Sequence, residues 1–421
     1  MKKRKILWFS GAQFSEDKIK TTGTWLIAMG IALAKSEDIE LYNVTYGDEG
    51  AITQKNFENI TQWVIPNKER IKYHQGSKEL VSFIRKIDEE IKPDLIHVWG
   101  TENGFGFAVN DAQVATPVLL EIQGLLFAYV KFYYGGLSFR DLFNSIGLKE
   151  LLRPKYHLSS IRNQFKSKGR HELRLIKQMK NISVQSDWVD SIIKYVNPTS
   201  NRYRTGMMLR SEFHETPAWE PPKNEGVINI FTSCSGPIPY KGLHVVIEAI
   251  ALLKKSYPNI KLNIGGGIRI KKKYGLIRDG YTSWMLEKAK KLGVEESINW
   301  LGMMSADEMI EEMHKSSVAV IPSFVETYCL FMAESMMVGV PTVASYAGSL
   351  PQLAEHGKST LYFPMGDHWM CARQIERLIT EPELAQNISV ESRKTALQRN
   401  EQSRVLQTQL DIYNKVIEKI D

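Results

Sequence analysis

The sequence predicts an α/β protein of two doubly wound parallel-sheet domains that face each other across a cleft. Three observations indicate this fold: strand and helix patterns alternate along the chain, the alternation occurs twice, and a polar, proline-rich linker at 215–226 separates the two series. At 421 residues, the chain is too long for one ordinary core. We therefore expect a first domain at 1–215, a second at 216–400, and a C-terminal helix at 401–421 that packs back towards the first.

Short runs of β-branched and apolar residues predict buried strands in both halves. The predicted strands are Lys5–Ser10, Ile39–Thr45, Leu95–Trp99, Val118–Glu121, Ile182–Gln185, Val227–Thr232, Lys261–Ile264, Ile298–Trp300, Val318–Ser323 and Thr342–Ser345. The predicted helices include Thr24–Ser36, Ser77–Ile91, Asp187–Val196 and Tyr328–Val338. Because strands alternate with helices, the strands of each sheet are expected to run parallel.

Composition indicates a globular protein of a reducing compartment. Hydrophobic residues make up 43% and charged residues 24% of the chain. Cys234, Cys329 and Cys371 are isolated, so neither a disulfide framework nor a zinc spacing is predicted. The first apolar run, Ile6 to Phe9, is too short for a signal peptide, and the longest apolar helix is of core length. A cytoplasmic protein is expected.

Positive charge is concentrated in one segment of the chain. The net charge is +7, and residues 151–180 hold nine Lys or Arg against a single acid, Glu172. An aromatic stretch at 127–143 precedes them. Together, 127–180 could bind an anionic membrane surface, bind nucleic acid, or form a solvated surface helix. Because no nucleic-acid-binding signature accompanies the charge, no nucleic-acid partner is predicted.

Glu326 and Glu334 stand eight positions apart and form the most informative pair in the chain. Glu334 is the one charged residue of an otherwise apolar predicted helix, where an unpartnered carboxylate would be costly. Glu326 lies in the turn before that helix, at the carboxyl end of a strand, where open α/β sheets bind ligands. The pair suits a hydroxyl-rich ligand with an anionic group. The alternative is structural, with Glu326 favouring a helix N-terminus and Glu334 at a solvent-facing edge.

Further candidate residues follow other predicted strands. Gly23 and Thr24 begin a helix, where backbone amides can bind phosphate; an ordinary threonine-capped helix entry is the alternative. Lys241 precedes a glycine and a helix in the second domain, so it could pair with a diphosphate, although most surface lysines bind nothing. Gly348 follows a strand at a position that can bring backbone close to a ligand.

These segments together resemble family 4 glycosyltransferases, which are retaining enzymes of the GT-B fold. PSFVETYCLFMAESMMVGVPTVASYAGSLPQLAEHG is similar to the carboxy-terminal signature of that family, with its E-x7-E pair, G-x-P turn and following glycine. PYKGLHVVIEAI resembles the family's lysine–glycine corner, and PDLIHVWGTE resembles a strand-end motif of its first domain. The resemblance spans most of the chain and implies two Rossmann-like domains of the GT-B type.

The resemblance also implies roles for individual residues. Glu326 would hold hydroxyls of the donor sugar, and Glu334 would hold the ribose hydroxyls of the nucleotide. Lys241, with backbone amides, would neutralise the departing diphosphate. The expected positions of those amides are Gly23, Thr24, Tyr328, Cys329 and Leu330. Because a lysine and a helix N-terminus supply the positive charge, neither a metal ion nor another cofactor is expected.

The chain departs from the family pattern at three positions, each of which puts the strength of catalysis in question. Gly236 stands where the family usually has an arginine that contacts the diphosphate. Cys329 stands where a glycine is frequent, and Trp99 where many members carry a second histidine.

The acceptor side is less defined by the sequence. His97, in the first-domain motif, is either a catalytic group or a buried structural histidine. Glu102, Gln123 and Glu172 are the candidate acceptor-side residues, with an ion-pair partner as the alternative for Glu172.

The sequence therefore predicts a retaining, metal-independent glycosyltransferase. It would move a hexose-type sugar from a nucleoside-diphosphate sugar to a glycan or lipid-linked acceptor, in bacterial polysaccharide or cell-surface glycan biosynthesis at the inner membrane face. The alternatives are a nucleotide-sugar epimerase of the same fold and a degenerate nucleotide-sugar-binding protein. Neither the base, the sugar, the acceptor nor the linkage is specified.

Overall fold

A computed structural model describes residues 3–16, 24–67, 76–223, 226–270 and 279–419. The chain divides into two compact units, of which the first comprises 1–127, 166–210 and 400–421 and the second comprises 128–165 and 211–399. The division near 210 lies close to the expected boundary. Residues 128–165, however, group with the second unit, whereas the sequence assigned them to the first domain.

Strands and helices alternate along most of the described chain. The strands are β1 (Arg4–Phe9), β2 (Ile39–Gly47), β3 (Thr53–Phe57), β4 (Ile60–Pro66), β5 (Leu95–Trp99), β6 (Val118–Glu121), β7 (Asn181–Val184), β8 (Asn201–Arg204), β9 (Ile228–Ser233), β10 (Ile260–Gly265), β11 (Ile298–Gly302), β12 (Val318–Ile321), β13 (Thr342–Ser345) and β14 (Leu361–Phe363). The helices are α1 (Thr24–Lys35), α2 (Lys78–Ile91), α3 (Phe105–Ala112), α4 (Leu126–Tyr129), α5 (Phe139–Asn144), α6 (Leu148–Leu152), α7 (Leu158–Gln178), α8 (Asp187–Val196), α9 (Ser211–Glu215), α10 (Leu243–Leu253), α11 (Gly280–Lys291), α12 (Ala306–Lys315), α13 (Leu330–Val338), α14 (Leu350–Leu353), α15 (His368–Thr380), α16 (Pro382–Arg399) and α17 (Gln402–Glu418).

The first unit contains an eight-stranded sheet in the order β3-β4-β2-β1-β5-β6-β7-β8. All neighbouring strands run parallel except β3, which pairs antiparallel with β4. The sequence did not predict β3, β4 or β8. Most residues of β3 are polar, and none of its side chains is fully buried. The apolar pattern that indicates a strand is therefore weak in this segment.

The second unit contains a six-stranded sheet, entirely parallel, in the order β11-β10-β9-β12-β13-β14. From β9 the chain first winds outwards through β10 and β11 and then returns to the other side of β9 with β12. This order creates a topological switch point between β9 and β12. The predicted fold class, two doubly wound parallel-sheet α/β domains, is confirmed.

The C-terminal helix α17 is part of the core of the first unit. Val405, Ile412, Tyr413 and Val416 are buried in the same apolar cluster as Trp8. The indole N–H of Trp8 donates a 3.0 Å hydrogen bond to the Tyr413 hydroxyl. The last helix therefore stabilises the first sheet, although 211–399, which belong to the second unit, separate it in sequence from the rest of the first unit.

Candidate active site

The switch point of the second sheet brings two loops to one edge. The loop after β9 leads through a 3₁₀ turn, Pro239–Lys241, into α10, and the loop after β12 leads into α13. Because β9 and β12 are parallel neighbours, both loops leave the carboxyl edge of the sheet. Open α/β sheets bind ligands at such crevices. Lys241 lies on the first loop and Glu326 on the second.

Lys241 and Glu326 form an ion pair at this edge. Nζ of Lys241 lies 2.7 Å from Oε1 of Glu326. The hydroxyl of Ser323 donates a 2.6 Å hydrogen bond to the same oxygen. Glu326 is only 5% exposed, whereas the Lys241 side chain is partly exposed. The nearly buried Glu326 carboxylate thus accepts contacts from the Lys241 ammonium and the Ser323 hydroxyl at the carboxyl edge of the sheet.

The ammonium of Lys241 is held in its charged form. Burial alone would lower the pKa of Lys241, but the neighbouring Glu326 carboxylate raises it. Tyr129, Cys329 and Tyr240 add to this effect, and the pKa of Lys241 lies above its ordinary value. The neighbouring carboxylate thus favours a positive charge on Lys241 at the carboxyl edge of the second sheet.

Two glycines with positive φ allow the site loops to approach each other. Gly242 has φ +72°, and a Cβ there would lie 2.0 Å from the carbonyl oxygen of Pro322 on the other loop. Gly348 has φ +52°, and a Cβ there would lie 2.3 Å from the carbonyl oxygen of Glu326. Both positions require glycine because any side chain would collide with backbone. Gly348 thus brings backbone close to Glu326 itself.

The helix that follows Glu326 presents its N-terminus without a side-chain cap. Cys329 is the N-cap residue and makes no capping hydrogen bond, and its extended backbone does not require the glycine that is frequent there. The helix begins at Leu330, so Tyr328 and Cys329 precede it. Burial, followed by the nearby Glu326 carboxylate, raises the pKa of the Cys329 thiol to about 12. The uncapped amides and their dipole favour an anion here.

Glu334 lies on the second turn of α13 and is 4% exposed. Every residue from Met332 to Val338 is buried, so the solvent-facing alternative for Glu334 is wrong. The structure thus places Glu326, Glu334 and Lys241 within one unit, on the loops and the helix of a single sheet edge.

The sequence did not identify several residues that contact this edge. Tyr129, from the segment at 128–165, lies with its hydroxyl 3.2 Å from the backbone amide of Thr327, from which it accepts a hydrogen bond. Its ring packs edge-to-face against Tyr240, with centroids 5.4 Å apart. Ser323 was visible only as the end of a predicted strand. Tyr129 precedes Thr327 by 198 positions, so no local signal connects them.

Glu102, Gln123 and Glu172 come together in the first unit, around Gly100 and Thr101. A Cβ at Gly100 would lie 2.7 Å from Oε1 of Gln123 and 2.7 Å from Oε2 of Glu102. The Thr101 hydroxyl donates a 2.5 Å hydrogen bond to Glu172, and the Thr101 amide donates to Glu102. The three acceptor-side candidates therefore form one cluster at the carboxyl end of β5.

Glu172 is a buried carboxyl of this cluster with a raised pKa. It is 1% exposed, and its second oxygen accepts a 3.0 Å hydrogen bond from the Phe127 amide. Burial raises the pKa of Glu172 to about 7, although the bonds from Thr101 and Phe127 favour its charged form. Burial likewise raises the pKa of Glu102. Burial thus favours the protonated form of each of these two carboxyls.

His97 lies in the interior of the first unit. It is fully buried, and its Nδ1 is 2.9 Å from the Tyr413 hydroxyl. Nε2 lies 3.8 Å from Oε2 of Glu121, and burial lowers the pKa of His97. A neutral imidazole packed against α17 favours the structural alternative for His97 over the catalytic one. Trp99 is also buried, and its ring lies tilted against the His97 ring with the centroids 4.1 Å apart.

Two donor-binding predictions lie at the limit of the described residues. Gly23 lies outside them. Thr24 is the first residue of α1, and its side chain is not described.

Within the described ranges, no group of three or more His, Cys, Asp or Glu is placed to hold a metal ion. In that same part of the chain, no helix combines the length and apolarity needed to cross a membrane.

Known proteins resemble part of this chain in sequence. Residues 223–395 match the family model described as "Glycosyl transferases group 1". Glycogen synthase of Mycobacterium tuberculosis is 26% identical over 146 residues, which are 35% of this chain and 33% of that protein. N-acetyl-alpha-D-glucosaminyl L-malate synthase of Bacillus anthracis is 25% identical over 133 residues, 32% of this chain and 34% of that protein. The chain thus matches about a third of the length of these curated relatives.

Solved structures resemble the whole chain in fold. Sucrose-phosphate synthase from Thermosynechococcus elongatus has a TM-score of 0.71 at 14% identity, covering 99% of this chain and 100% of that one. Anabaena HepE, solved in complex with UDP and glucose, has a TM-score of 0.66 at 17% identity, covering 98% of this chain and 100% of that one. At such identities the likeness shows the fold alone. Lys241, Glu326 and Glu334 therefore lie in a segment that matches glycosyl transferases group 1, within a chain of the GT-B fold.

Proposed function

We propose that the protein is a retaining, family 4 glycosyltransferase that moves a hexose-type sugar from a nucleoside-diphosphate sugar to a glycan or lipid-linked acceptor. The observation that carries this proposal is the ion pair of Lys241 and Glu326 at the switch point of the second sheet. That pair lies within the segment that matches the glycosyl transferase model. The presence of UDP in Anabaena HepE supports a nucleotide sugar as the donor.

The donor is expected to bind along the carboxyl edge of the second sheet. Lys241 pairs with the diphosphate, helped by the uncapped N-terminus of α13 at Cys329 and Leu330. Oε1 of Glu326 accepts the contacts from Lys241 and Ser323, and we assign Oε2 to a hydroxyl of the donor sugar. Glu334, on the second turn of α13, receives the ribose hydroxyls.

The reaction breaks the bond between the anomeric carbon and the diphosphate oxygen. The electron pair of that bond passes to the diphosphate, where Lys241 and the helix dipole stabilise the growing charge. An acceptor hydroxyl forms the new bond to the anomeric carbon, and its proton leaves with the diphosphate. Glu326 stabilises the positive charge that develops on the sugar ring. Because these groups supply the charge, the proposed reaction needs no metal ion.

A cellular role in bacterial polysaccharide or cell-surface glycan biosynthesis fits a lipid-linked acceptor. In that role the protein would be cytoplasmic and peripheral on the inner face of the cell membrane, with 127–180 as the membrane-facing part. The cluster of Glu102, Gln123 and Glu172 is proposed to serve the acceptor side. Its two carboxyls, whose pKa values are raised by burial, suit hydrogen bonds to sugar hydroxyls.

Turnover of nucleotide sugars tests this proposal against its two alternatives. Thermal shift with a panel of nucleotide sugars first identifies the donor, because a ligand at ~100 times its dissociation constant stabilises by about 2.7 kcal/mol. Product analysis with the labelled donor and candidate acceptors follows. We expect an α-configured donor to yield an α-linked product, as retention requires. An epimerised nucleotide sugar would instead assign an isomerase, and binding without turnover would assign a degenerate binding protein.

Lys241→Gln is the matched variant for this experiment. The glutamine side chain carries no positive charge, but its amide N–H can still donate a hydrogen bond to Glu326. We expect it to weaken nucleoside diphosphate binding by roughly tenfold or more, since hydrogen bonds to charged groups contribute about 1.5–3 kcal/mol. Lys315→Gln, at an exposed ion pair on α12, is the control and should bind normally. Unchanged diphosphate affinity in Lys241→Gln would remove the role assigned to Lys241.

A further inference from the structure

The two short helices α5 and α6 carry a cluster of exposed apolar side chains. Five of the 16 large hydrophobic residues that are exposed among the described residues fall between 139 and 152. The exposed fractions are 92% for Phe139, 74% for Phe143, 49% for Leu148, 68% for Leu151 and 66% for Leu152. Single exposed hydrophobics are common on protein surfaces, but five within two consecutive short helices indicate an interaction surface. We call these five residues the apolar face.

Polar contacts, rather than the apolar face, hold these helices in place. Ser138 caps α5, with reciprocal hydrogen bonds between Ser138 and Asp141. Buried Glu150 of α6 accepts 3.1 Å hydrogen bonds from the amides of Gly147 and Gly280, the latter at the start of α11. A Cβ at Gly280 would lie 1.8 Å from the Ser145 carbonyl oxygen, so the backbones are in contact. The exposed rings and leucines are therefore not needed to dock the helices.

The apolar face is accompanied by positive charge. Residues 139–155 contain the cations Arg140, Lys149, Arg153 and Lys155. The acids in the same stretch, Asp141 and Glu150, are both engaged in the contacts that cap α5 and α6. Arg140, Arg153 and Lys155 are exposed. The face thus combines apolar side chains for insertion with cations for an anionic surface.

Charge also argues against a second copy of this chain as the partner. A twofold interface would place the same patch on both sides and bring the four cations of each copy together. Like charges in apposition are unfavourable, whereas phospholipid headgroups of negative charge are complementary. The exposed cations of α7 include Lys166, Arg170 and Arg174, and no large hydrophobic residue of α7 itself is exposed in the described chain. These cations can therefore contribute attraction, whereas α7 offers no exposed apolar side chain for insertion.

We propose that the apolar face inserts into the interface of an anionic lipid bilayer, with Arg140, Arg153 and Lys155 contacting lipid phosphates. This inference deepens the membrane part of the proposed function and rests on it, but not on the transfer chemistry. It assigns docking to α5 and α6 rather than to the basic helix α7. It also places the docking surface in the second unit, which carries the proposed donor site.

Sedimentation of the full chain with vesicles tests the inference. The vesicles contain either anionic and zwitterionic phospholipid or zwitterionic phospholipid alone, at low and high salt. We expect the wild type to bind the anionic vesicles, and Phe139→Ser/Phe143→Ser to bind them roughly tenfold or more weakly at both salt concentrations. Trp369→Ser, which removes another exposed aromatic side chain, on α15, should bind like the wild type.

A second variant separates insertion from attraction. Lys166→Ser/Arg170→Ser/Arg174→Ser should reduce binding at low salt only, because charge attraction is screened at high salt. Unchanged thermal unfolding and UDP affinity in the phenylalanine variant show that it folds and that donor binding is intact.

Distinct outcomes would overturn the inference. If the phenylalanine variant binds vesicles like the wild type, α5 and α6 are not the docking surface, although membrane association itself stands. If the wild type binds no anionic vesicles, the membrane part of the proposed function fails as well. If the wild type does not bind vesicles but forms dimers, and the phenylalanine variant is monomeric, the apolar face is a homodimer interface. In each case turnover of soluble donor reports separately on the glycosyltransferase proposal.

Discussion

Nζ of Lys241 lies 2.7 Å from Oε1 of Glu326, although 85 positions separate the two residues in the chain. The pairing follows from topology, because β9 and β12 are adjacent and each residue lies on the loop after one of them. Gly242 allows the first of these loops to touch the second at Pro322. The two side chains are in direct contact, so a substitution of either one changes the surroundings of the other.

Glu326→Gln is predicted to lower turnover by roughly 100-fold while the fold is kept. Glutamine has the shape of glutamate and can still accept the Ser323 hydrogen bond, but it lacks the negative charge that stabilises the oxocarbenium-like sugar. Initial rates and UDP affinity measured on the same preparation separate chemistry from binding. We expect the affinity for UDP to be kept, because the Glu326 carboxylate then no longer competes with the diphosphate for Lys241.

The control for this prediction is Glu311→Gln, which changes an exposed carboxylate on α12 that pairs with Lys315. It should have normal rates. Full activity in Glu326→Gln would contradict the role assigned to Glu326.

Gly236→Arg is predicted to strengthen nucleoside diphosphate binding. A Cβ at Gly236 would meet no atom within 4 Å, so the side chain has room. The added guanidinium lies on the same loop as Lys241 and can contact the diphosphate, with a gain of up to about tenfold in affinity. Calorimetric titration with UDP measures the effect, and Gly236→Ala controls for the loss of glycine. Equal affinities in the arginine and alanine variants would show that no diphosphate lies within reach.

Glu334→Gln is predicted to weaken recognition of the ribose hydroxyls. The wild type should bind UDP more tightly than its 2′,3′-dideoxy analogue, by roughly tenfold or more, because the hydroxyls donate to a buried carboxylate. The variant should show a smaller ratio of the two affinities, because a neutral amide oxygen accepts a hydroxyl more weakly than a carboxylate does. This ratio of affinities does not depend on how much of the variant is folded. Glu383→Gln, an exposed position on α16, should keep the wild-type ratio, and a wild-type ratio in Glu334→Gln would refute the assignment.

Glu172→Gln is predicted to flatten the pH dependence of stability. Burial raises the pKa of Glu172 from 4.5 to about 7, so the folded protein binds more protons than the unfolded chain between these values. Stability contributed by this group is complete below about pH 4.5 and falls as pH rises towards 7, by at most roughly 1.4 kcal/mol per pH unit. Glutamine does not titrate and should remove this fall.

Thermal unfolding of wild type and Glu172→Gln between pH 5 and pH 8 measures the difference, with pH values chosen to span the shifted pKa of about 7. Titrating groups outside the cluster of Glu102, Gln123 and Glu172 affect both proteins equally and cancel in the comparison. Parallel melting curves across this range would mean that Glu172 titrates like an exposed carboxyl.

The sequence predicted the parallel sheets because their strands are buried on both faces. β1, β5, β12 and β13 are continuous apolar or β-branched runs, which are recognisable without tertiary information. β3 and β14 were not predicted for two different reasons. β3 is mostly polar at a sheet edge, and β14 is only three residues long. Neither leaves a periodic pattern in the chain.

The candidate site was predicted in part. Glu326 and Glu334 belong to one strand–turn–helix segment, so their spacing alone indicated a common site. Tyr129 could not be predicted, since it reaches Thr327 from a segment that the sequence assigned to the other domain. His97 remained ambiguous for a similar reason: its burial depends on Tyr413 of α17, 316 positions later.

By itself, the sequence determined the fold class, the strand-end positions of Lys241, Glu326 and Glu334, and the concentration of aromatic and basic residues at 127–180. These are local properties, set by periodicity and by residue type within short windows. Only the tertiary structure decided which of these side chains are in contact with one another. The order of strands paired Lys241 with Glu326, gathered Glu102, Gln123 and Glu172 around Thr101, and left the apolar face exposed. Such contacts depend on long-range packing, which no window of sequence contains.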